Sequence, residues 1–312
     1  MAEPRSMAHT SDGPHQRIAL HSGVTVEYME QGSILDGNAD ATPVILIHGW
    51  PDSTSSYDLL RPLLSRRLRV FTVGLRGFGA SDKPQGGYSV EQFAADVRSF
   101  LIAKTLRQVV VVGHSMGSIV AHALACKWPR LVSHLLLVDS CQSARDNAVL
   151  TALAAEINAP GFSLTPAYVY RFQASTIHNL SSTPWRFVKH SIVARSLEAP
   201  LRTWRAGLMA MRQYAPTAED MSAITARTMI LVGAHDKLFT REQCAVPLHR
   251  VLPSSRLLVL PGAYKRTAHQ THCNTHTARH VHTYTCTSRC WPQPRVGCAT
   301  SGCSGARGAH AT

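Results

Sequence analysis

Two hydrophobic patterns alternate along this chain. Short continuous apolar runs recur as "VILIHG" (44–49), "RVFTVG" (69–74), "VVVVGHS" (109–115), "HLLLVDS" (134–140), "TMILVGAHD" (228–236) and "RLLVLPG" (256–262). Each is short and ends in Gly or a small polar residue, the pattern of a strand buried on both faces. Between them lie stretches with apolar positions every three or four residues: Ser53 to Leu64, "SVEQFAADVRSFLIAK" with Ser89 as its cap, Ser115 to Lys127, and Arg241 to Val251. Ile18–Leu20 and Val24–Glu30 flank His21-Ser22-Gly23 and predict an opening hairpin. Strands alternating with helices predict an α/β fold, an eight-stranded, mostly parallel sheet flanked by helices.

The rhythm breaks after Cys141. Up to Ser222 the strand-like runs vanish, and helical segments interrupted by Pro160, Pro166, Pro184, Pro200 and Pro216 follow. The predicted layout is a disordered leader (1–16), a first core part (17–140), an inserted helical cap (141–222), a second core part (223–263) and a disordered Thr/His/Cys-rich tail (264–312). The tail contains no Leu, Ile, Phe, Met, Asp or Glu. Such a segment cannot bury enough apolar area to offset its ordering entropy. Its Thr/His alternation is what a translated CA repeat gives, so read-through of non-coding sequence is the expected origin.

Charge and cysteine divide at the same point. The net charge is +13, but six Lys/Arg fall in the tail, leaving +7 on residues 1–263, scattered as on a solvated surface. Five of the eight cysteines are also in the tail. The other three, Cys126, Cys141 and Cys244, read as dispersed thiols of a reducing compartment. No stretch is apolar for long enough to span a bilayer, and the first residues carry no secretory signal, so the expected location is cytoplasmic. Binding of nucleic acid by the basic tail is an outside alternative, and no nucleic-acid partner is expected.

"GHSMG" (113–117) sits between a valine strand and a helix, the context in which G-x-S-x-G forms a nucleophile elbow. The plainer alternative is a tight strand–helix turn with an incidental serine. With "HGWPDS" (48–53), "LRGFGASDKP" (75–84) and "LVGAHD" (231–236) in the same order, the chain from Ile18 to Ala263 resembles the α/β-hydrolase superfamily, in its cap-bearing serine esterase and cofactor-free haloperoxidase-like branch. The resemblance implies that Ser115 is the nucleophile and that the backbone N–H groups of Trp50 and Met116 form the oxyanion hole. Trp50 has core packing as its alternative role. The "LRGFGASDKP" loop is expected to be structural, with Asp82 bonding to backbone, and Gly74 stands where the family usually has Asp. Relatives that open epoxides or remove halide need Asp at the elbow, and Ser115 argues against both activities.

A serine nucleophile needs a base and an acid that orients it. The resemblance places the acid at Asp236, with Asp139 as the alternative one strand earlier. It places the histidine just after "LPGA", where this chain has Tyr264 and Lys265. His269 and His272 are the remaining possible bases. Cys273, His276, His280, Cys286 and Cys290 have spacings that resemble zinc ligands. Biased composition produces the same spacings, so no metal and no cofactor is expected. The predicted activity is hydrolysis of an ester, lactone or similar small acyl substrate with an apolar portion, impaired by the missing histidine. A perhydrolase side reaction needs the same triad. The alternative is a catalytically dead or truncated product that keeps a ligand pocket. Aromatic residues of the cap, Phe162, Tyr168, Tyr170, Phe172, Trp185, Phe187 and Trp204, with Met209 and Met211, are candidates for packing and for lining that pocket.

Overall fold

The computed structural model describes residues 15–32, 42–65, 67–177, 179–252 and 254–261. The expected tail, with Lys265, His269, His272 and the Cys/His cluster, lies outside them.

Eight strands form one sheet in the order β1-β2-β4-β3-β5-β6-β7-β8. β1 (Gln16–Ala19) and β2 (Thr25–Gln31) make the predicted antiparallel hairpin. β1 starts with Gln16 paired to Tyr28, one residue before the expected core boundary. β2 also runs antiparallel to β4 (Val70–Val73). From β4 onward every pairing is parallel, through β3 (Val44–Ile47), β5 (Val109–His114), β6 (Val132–Val138), β7 (Arg227–Gly233) and β8 (Ser255–Leu260). The expected eight-stranded, mostly parallel sheet is the observed one.

The helices follow from the same local chemistry. α1 (Val90–Ala103) is capped by Ser89, whose side chain accepts the Gln92 N–H at 3.1 Å. α2 (Met116–Lys127) is buried all round from Met116 to Ala125, because its small residues let strands approach on one side and α1 on the other. Two stretches depart from the expected helices. Ser53–Leu64 forms only two 3₁₀ turns, Thr54–Tyr57 and Arg61–Leu63. Pro62 carries no N–H, and the buried polar groups here bond locally: Ser53 Oγ accepts the Ser55 N–H (3.2 Å), and Tyr57 OH donates to the Ile47 carbonyl (2.8 Å). Arg241–Val251 opens with a π turn, Arg241–Ala245, before a short helix, Val246–Val251. Pro247 cannot donate to the Gln243 carbonyl, so the α register does not start earlier.

Between β6 and β7 the described residues form helices and no strand. They are α3 (Ala148–Asn158), α4 (Pro166–Ser175), a π-helical stretch Phe187–Ala194 running into α5 (Arg195–Leu197), α6 (Leu201–Gln213) and α7 (Ala218–Ser222). α3, α4 and α7 are capped by Asn147, Thr165 and Thr217. No helix among the described residues is long and apolar enough to cross a membrane.

Candidate active site

The site is built where β3 and β5 leave the sheet. β5 ends at His114 and the chain turns at once into α2, leaving Ser115 at φ 53°, ψ −121°. That is a sparsely populated conformation for a residue with a side chain, and costs about 1–3 kcal/mol. Its surroundings hold it there. The Ser115 N–H donates to the Val138 carbonyl (2.9 Å), and its carbonyl accepts from the Ser118 N–H (2.9 Å) and the Ser118 hydroxyl (2.6 Å). The two elbow glycines are steric necessities. A Cβ on Gly113 would lie 2.3 Å from the Gly117 carbonyl oxygen, and one on Gly117 would lie 2.2 Å from that of Ile47.

The loop after β3 abuts this turn, since a Cβ added to Gly49 would stand 3.1 Å from Ser115 Cβ. Trp50 follows Gly49. Its indole N–H donates to the Trp204 carbonyl (2.9 Å), and its ring meets Phe172 and Trp204 edge-on at 5.4 and 5.1 Å. The alternative packing role for Trp50 is therefore real for its side chain. The expected oxyanion role concerns only its backbone N–H. Neither that N–H nor the Met116 N–H, at the first turn of α2, donates to an acceptor among the described residues. The N-terminus of α2 adds a partial positive charge at the same place. Asp52, in the same loop, accepts from Gln173 (3.0 Å), which also donates to Ser196 (2.8 Å).

A cavity of about 550 Å³ opens over Ser115. Its walls include Trp50, Leu150 and Leu153 of α3, Phe172 of α4, Met211 of α6, and Leu238 and Phe239 after β7, and Lys237 is the one charged residue among the described lining residues. Two of the candidate cap aromatics and methionines, Phe172 and Met211, thus reach the cavity. Trp204 is instead fully buried against Trp50 and Phe172, and Trp185 is 61% exposed. The wall residues Leu150, Leu153, Leu238 and Phe239 escaped the sequence reading. Leu150 and Leu153 share one face of α3 at i, i+3 spacing, a signal that any packing helix also gives.

Asp139 directly follows β6 and Asp236 lies three residues past β7, and they face different surroundings. Asp236 Oδ1 accepts the N–H groups of Leu238 (2.7 Å) and Phe239 (2.9 Å). This turn carries both residues into the cavity wall. Asp139 is fully buried at φ 48°. It accepts the Gly233 N–H (3.3 Å) and stands 3.9 Å from His114 Nε2. Two further histidines are near and spent on structure. His48 Nδ1 donates to the Gly49 carbonyl (2.8 Å), its Nε2 accepts the Leu75 N–H (3.0 Å), and burial lowers its pKa. His122 Nε2 donates to the Cys141 carbonyl (3.2 Å), and burial drops its pKa to about 4 against the opposing effect of that bond. Among the described residues no histidine hydrogen-bonds the Ser115 hydroxyl. Asp82 bonds backbone as expected, accepting the Thr25 N–H at 2.8 Å.

A family model of the α/β hydrolase fold matches residues 42–265, and the chain belongs to that family. An uncharacterized protein of Mycobacterium tuberculosis is 35% identical over 111 residues, covering 36% of this chain and 33% of that protein. A serine hydrolase-like protein of Mus musculus is 34% identical over 106 residues, covering 33% of this chain and 34% of its own length. The chain therefore spans about a third of the length of these curated relatives. Among solved structures, a thermophilic esterase from Thermogutta terrifontis superposes with a TM-score of 0.71 at 22% identity, covering 88% of this chain and 100% of the esterase. That likeness is one of fold.

Proposed function

We propose that this chain is built for acyl transfer to water from a small ester or lactone with an apolar portion. The observation that carries the reading is Ser115, held in a strained turn at the base of an apolar cavity and flanked by two N–H groups with no acceptor among the described residues. In this scheme Ser115 Oγ attacks the carbonyl carbon. The Trp50 and Met116 N–H groups receive the oxyanion, where each such donor is worth about 10²–10³ in rate. Asp236 orients the imidazole that takes the serine proton, and Asp139 is the alternative acid. The apolar part of the substrate lies among Leu150, Leu153, Phe172 and Met211. The helices between β6 and β7 act as the cap.

The base is the open element. His269 and His272 are the remaining candidates, and Lys265 stands where the family resemblance puts the histidine. Lys265 favours a second reading, a protein that binds an acyl ligand in this cavity and turns it over slowly. Both readings meet one experiment. The chain as written is expected to hydrolyse p-nitrophenyl esters barely above background. A version with Tyr264→Gly and Lys265→His, followed by an amphipathic C-terminal helix in place of the tail, is expected to gain on the order of 10³-fold or more. Fluorophosphonate labelling, with Ser115→Ala as control, reports the nucleophile directly. A rate already high in the chain as written, abolished by His269→Ala or His272→Ala, would show that the tail supplies the base. Absence of labelling and of turnover in the rebuilt version would end the hydrolase reading.

A further inference from the structure

The outer side of the helices between β6 and β7 plays no part in the scheme above. From Ile157 to Leu197 the chain has no Asp or Glu, but it carries Arg171, Arg186, Lys189 and Arg195. Arg195 is spent on Glu27 and Glu198. Arg171, Arg186 and Lys189 are exposed, and none of them forms an ion pair among the described residues. Two exposed rings stand with these cations. Trp185 is 61% and Tyr170 37% exposed. Their ring centroids are 6.5 Å apart with the planes at 66°, so α4 meets the segment before Phe187–Ala194 at this point. Lys189, four residues on, places its Nζ 6.0 Å from the Trp185 ring centroid. The segment is anchored, because Val169, Phe187 and Val188, its neighbours in sequence, are buried. Tyr170 and Arg171 also adjoin Phe172, which lines the cavity. A single exposed apolar residue is ordinary, but two rings in contact, with three cations and no acid, mark an interaction surface.

We propose that this face, formed by Tyr170, Arg171, Trp185, Arg186 and Lys189, docks peripherally on an anionic lipid bilayer. Both kinds of residue fit that partner. A Lys or Arg near the bilayer surface is drawn to anionic headgroups, each adding about fivefold in affinity. Trp and Tyr settle at headgroup level, where the ring meets the acyl boundary and its N–H or O–H stays wet. Nucleic acid also attracts cations and rings, but stacking on a base needs a free ring face. Lys189 stands over one face of Trp185, and Tyr170 meets that ring edge-on, so lipid is the favoured partner. Docking here sets α4, and with it the cavity wall at Phe172, against a source of apolar acyl esters. That consequence rests on the acyl-transfer reading, whereas the docking itself does not.

The experiment uses the full chain in co-sedimentation with vesicles of phosphatidylcholine mixed with phosphatidylserine, against phosphatidylcholine alone. Binding should need the anionic lipid and weaken as salt rises. The net charge of +13 draws such vesicles to any part of the chain, so location is tested at equal charge. Removing the three cations of the face, by Arg171→Gln, Arg186→Gln and Lys189→Gln together, should weaken binding about 100-fold. Removing three exposed cations elsewhere, by Arg107→Gln, Arg130→Gln and Arg250→Gln, should weaken it less than about fivefold. All six side chains are exposed, so both triple variants should stay folded. The emission of Trp185, taken as the difference between the native chain and Trp185→Phe, should be quenched by lipids with brominated acyl chains. Equal losses in the two triple variants, or a Trp185 emission that bromine leaves unchanged, would overturn the proposal. So would binding of single-stranded oligothymidylate as tight as that of the vesicles at the same salt and lost in the first triple variant, which would assign the face to nucleic acid. Ser115→Ala should bind vesicles as the native chain does, so failure of the docking and failure of the acyl-transfer reading are seen separately.

Discussion

The edge of the sheet around Ser115 and the helices between β6 and β7 are held in place by different means. At the sheet edge the backbone does the holding. Residues Ile45–Tyr57 and Gly113–Ala125 are buried without a break, and main-chain atoms come so close that a single Cβ has no room at Gly113 or Gly117. The helices over the cavity are joined to the rest through side chains. Trp50 is wedged between Phe172 and Trp204, Gln173 bridges Asp52 and Ser196, and Arg195 pairs with Glu27. Glu27 is almost wholly buried. Burial alone would raise its pKa, but His15, Arg195 and the Ala80 N–H outweigh that and bring it to about 2. The contrast separates a rigid floor, which can store the strain of Ser115, from a roof attached through side chains. A roof of that kind can vary in sequence while the floor does not move.

Substitutions test the contrast in order of expected cost. Gly117→Val is the largest. Its Cβ would stand 2.2 Å from the Ile47 carbonyl oxygen, and backbone cannot give way as a flexible side chain can. We expect a loss of more than about 4 kcal/mol and little folded protein by circular dichroism. A well-folded Gly117→Val protein would break the rigid-floor account. Trp50→Ala attacks the main joint. It empties a buried site and leaves the Trp204 carbonyl without its indole donor, at an expected cost of about 3–5 kcal/mol in urea unfolding. Protease sensitivity should rise first in α4 and α6, with the sheet protected longer. Equal exposure of both regions would erase the distinction.

His122 provides a smaller, pH-dependent effect. It is fully buried on α2, and burial depresses its pKa from 6.5 to about 4. The unfolded chain takes up a proton there as pH falls through 6.5, while the folded chain does not until about pH 4. Stability is therefore whole above pH 6.5 and falls across the window from 6.5 to about 4, by about 3 kcal/mol in total from this group. The difference between the native chain and His122→Gln in urea midpoint against pH should show that window. A flat difference would mean that His122 is solvated or charged in the fold. Trp185→Ala is the smallest change. The ring is 61% exposed, and its cation contact with Lys189 spans 6.0 Å, so the expected shift lies within about 0.5 kcal/mol. A large shift would place Trp185 among the joints.

Much of the floor was legible in the sequence. The apolar runs ending in glycine or a small polar residue became strands, and Ser115 between Gly113 and Gly117, after four valines, announced a sharp strand-to-helix turn. The reading of every run as buried on both faces fails at β7 and β8, where Met229 is 39% and Leu258 45% exposed. The landmark at Asp82 likewise bonded backbone as read. The roof was less legible. A helix shows which residues are apolar, but not which of several apolar neighbours its stripe will meet. So Phe172 and Met211 are apolar candidates for the pocket on the same footing as Trp204, which packs against Trp50 and Phe172, and Trp185, which faces solvent. Helical spacing also failed where burial and proline intervened, at Ser53–Leu64 and before Pro247.

The sequence by itself determined the order of strands and helices, the strained serine turn and the family, because those depend on patterns within a few residues of chain. Only the tertiary structure decided what surrounds Ser115. It closed a cavity from Leu150, Leu153, Leu238 and Phe239, and committed His48 and His122 to backbone partners. Such contacts arise when β6 and β7 lie side by side and the helices fold over their ends. No local pattern in the chain encodes that proximity, because it is set by how whole elements share one buried interior.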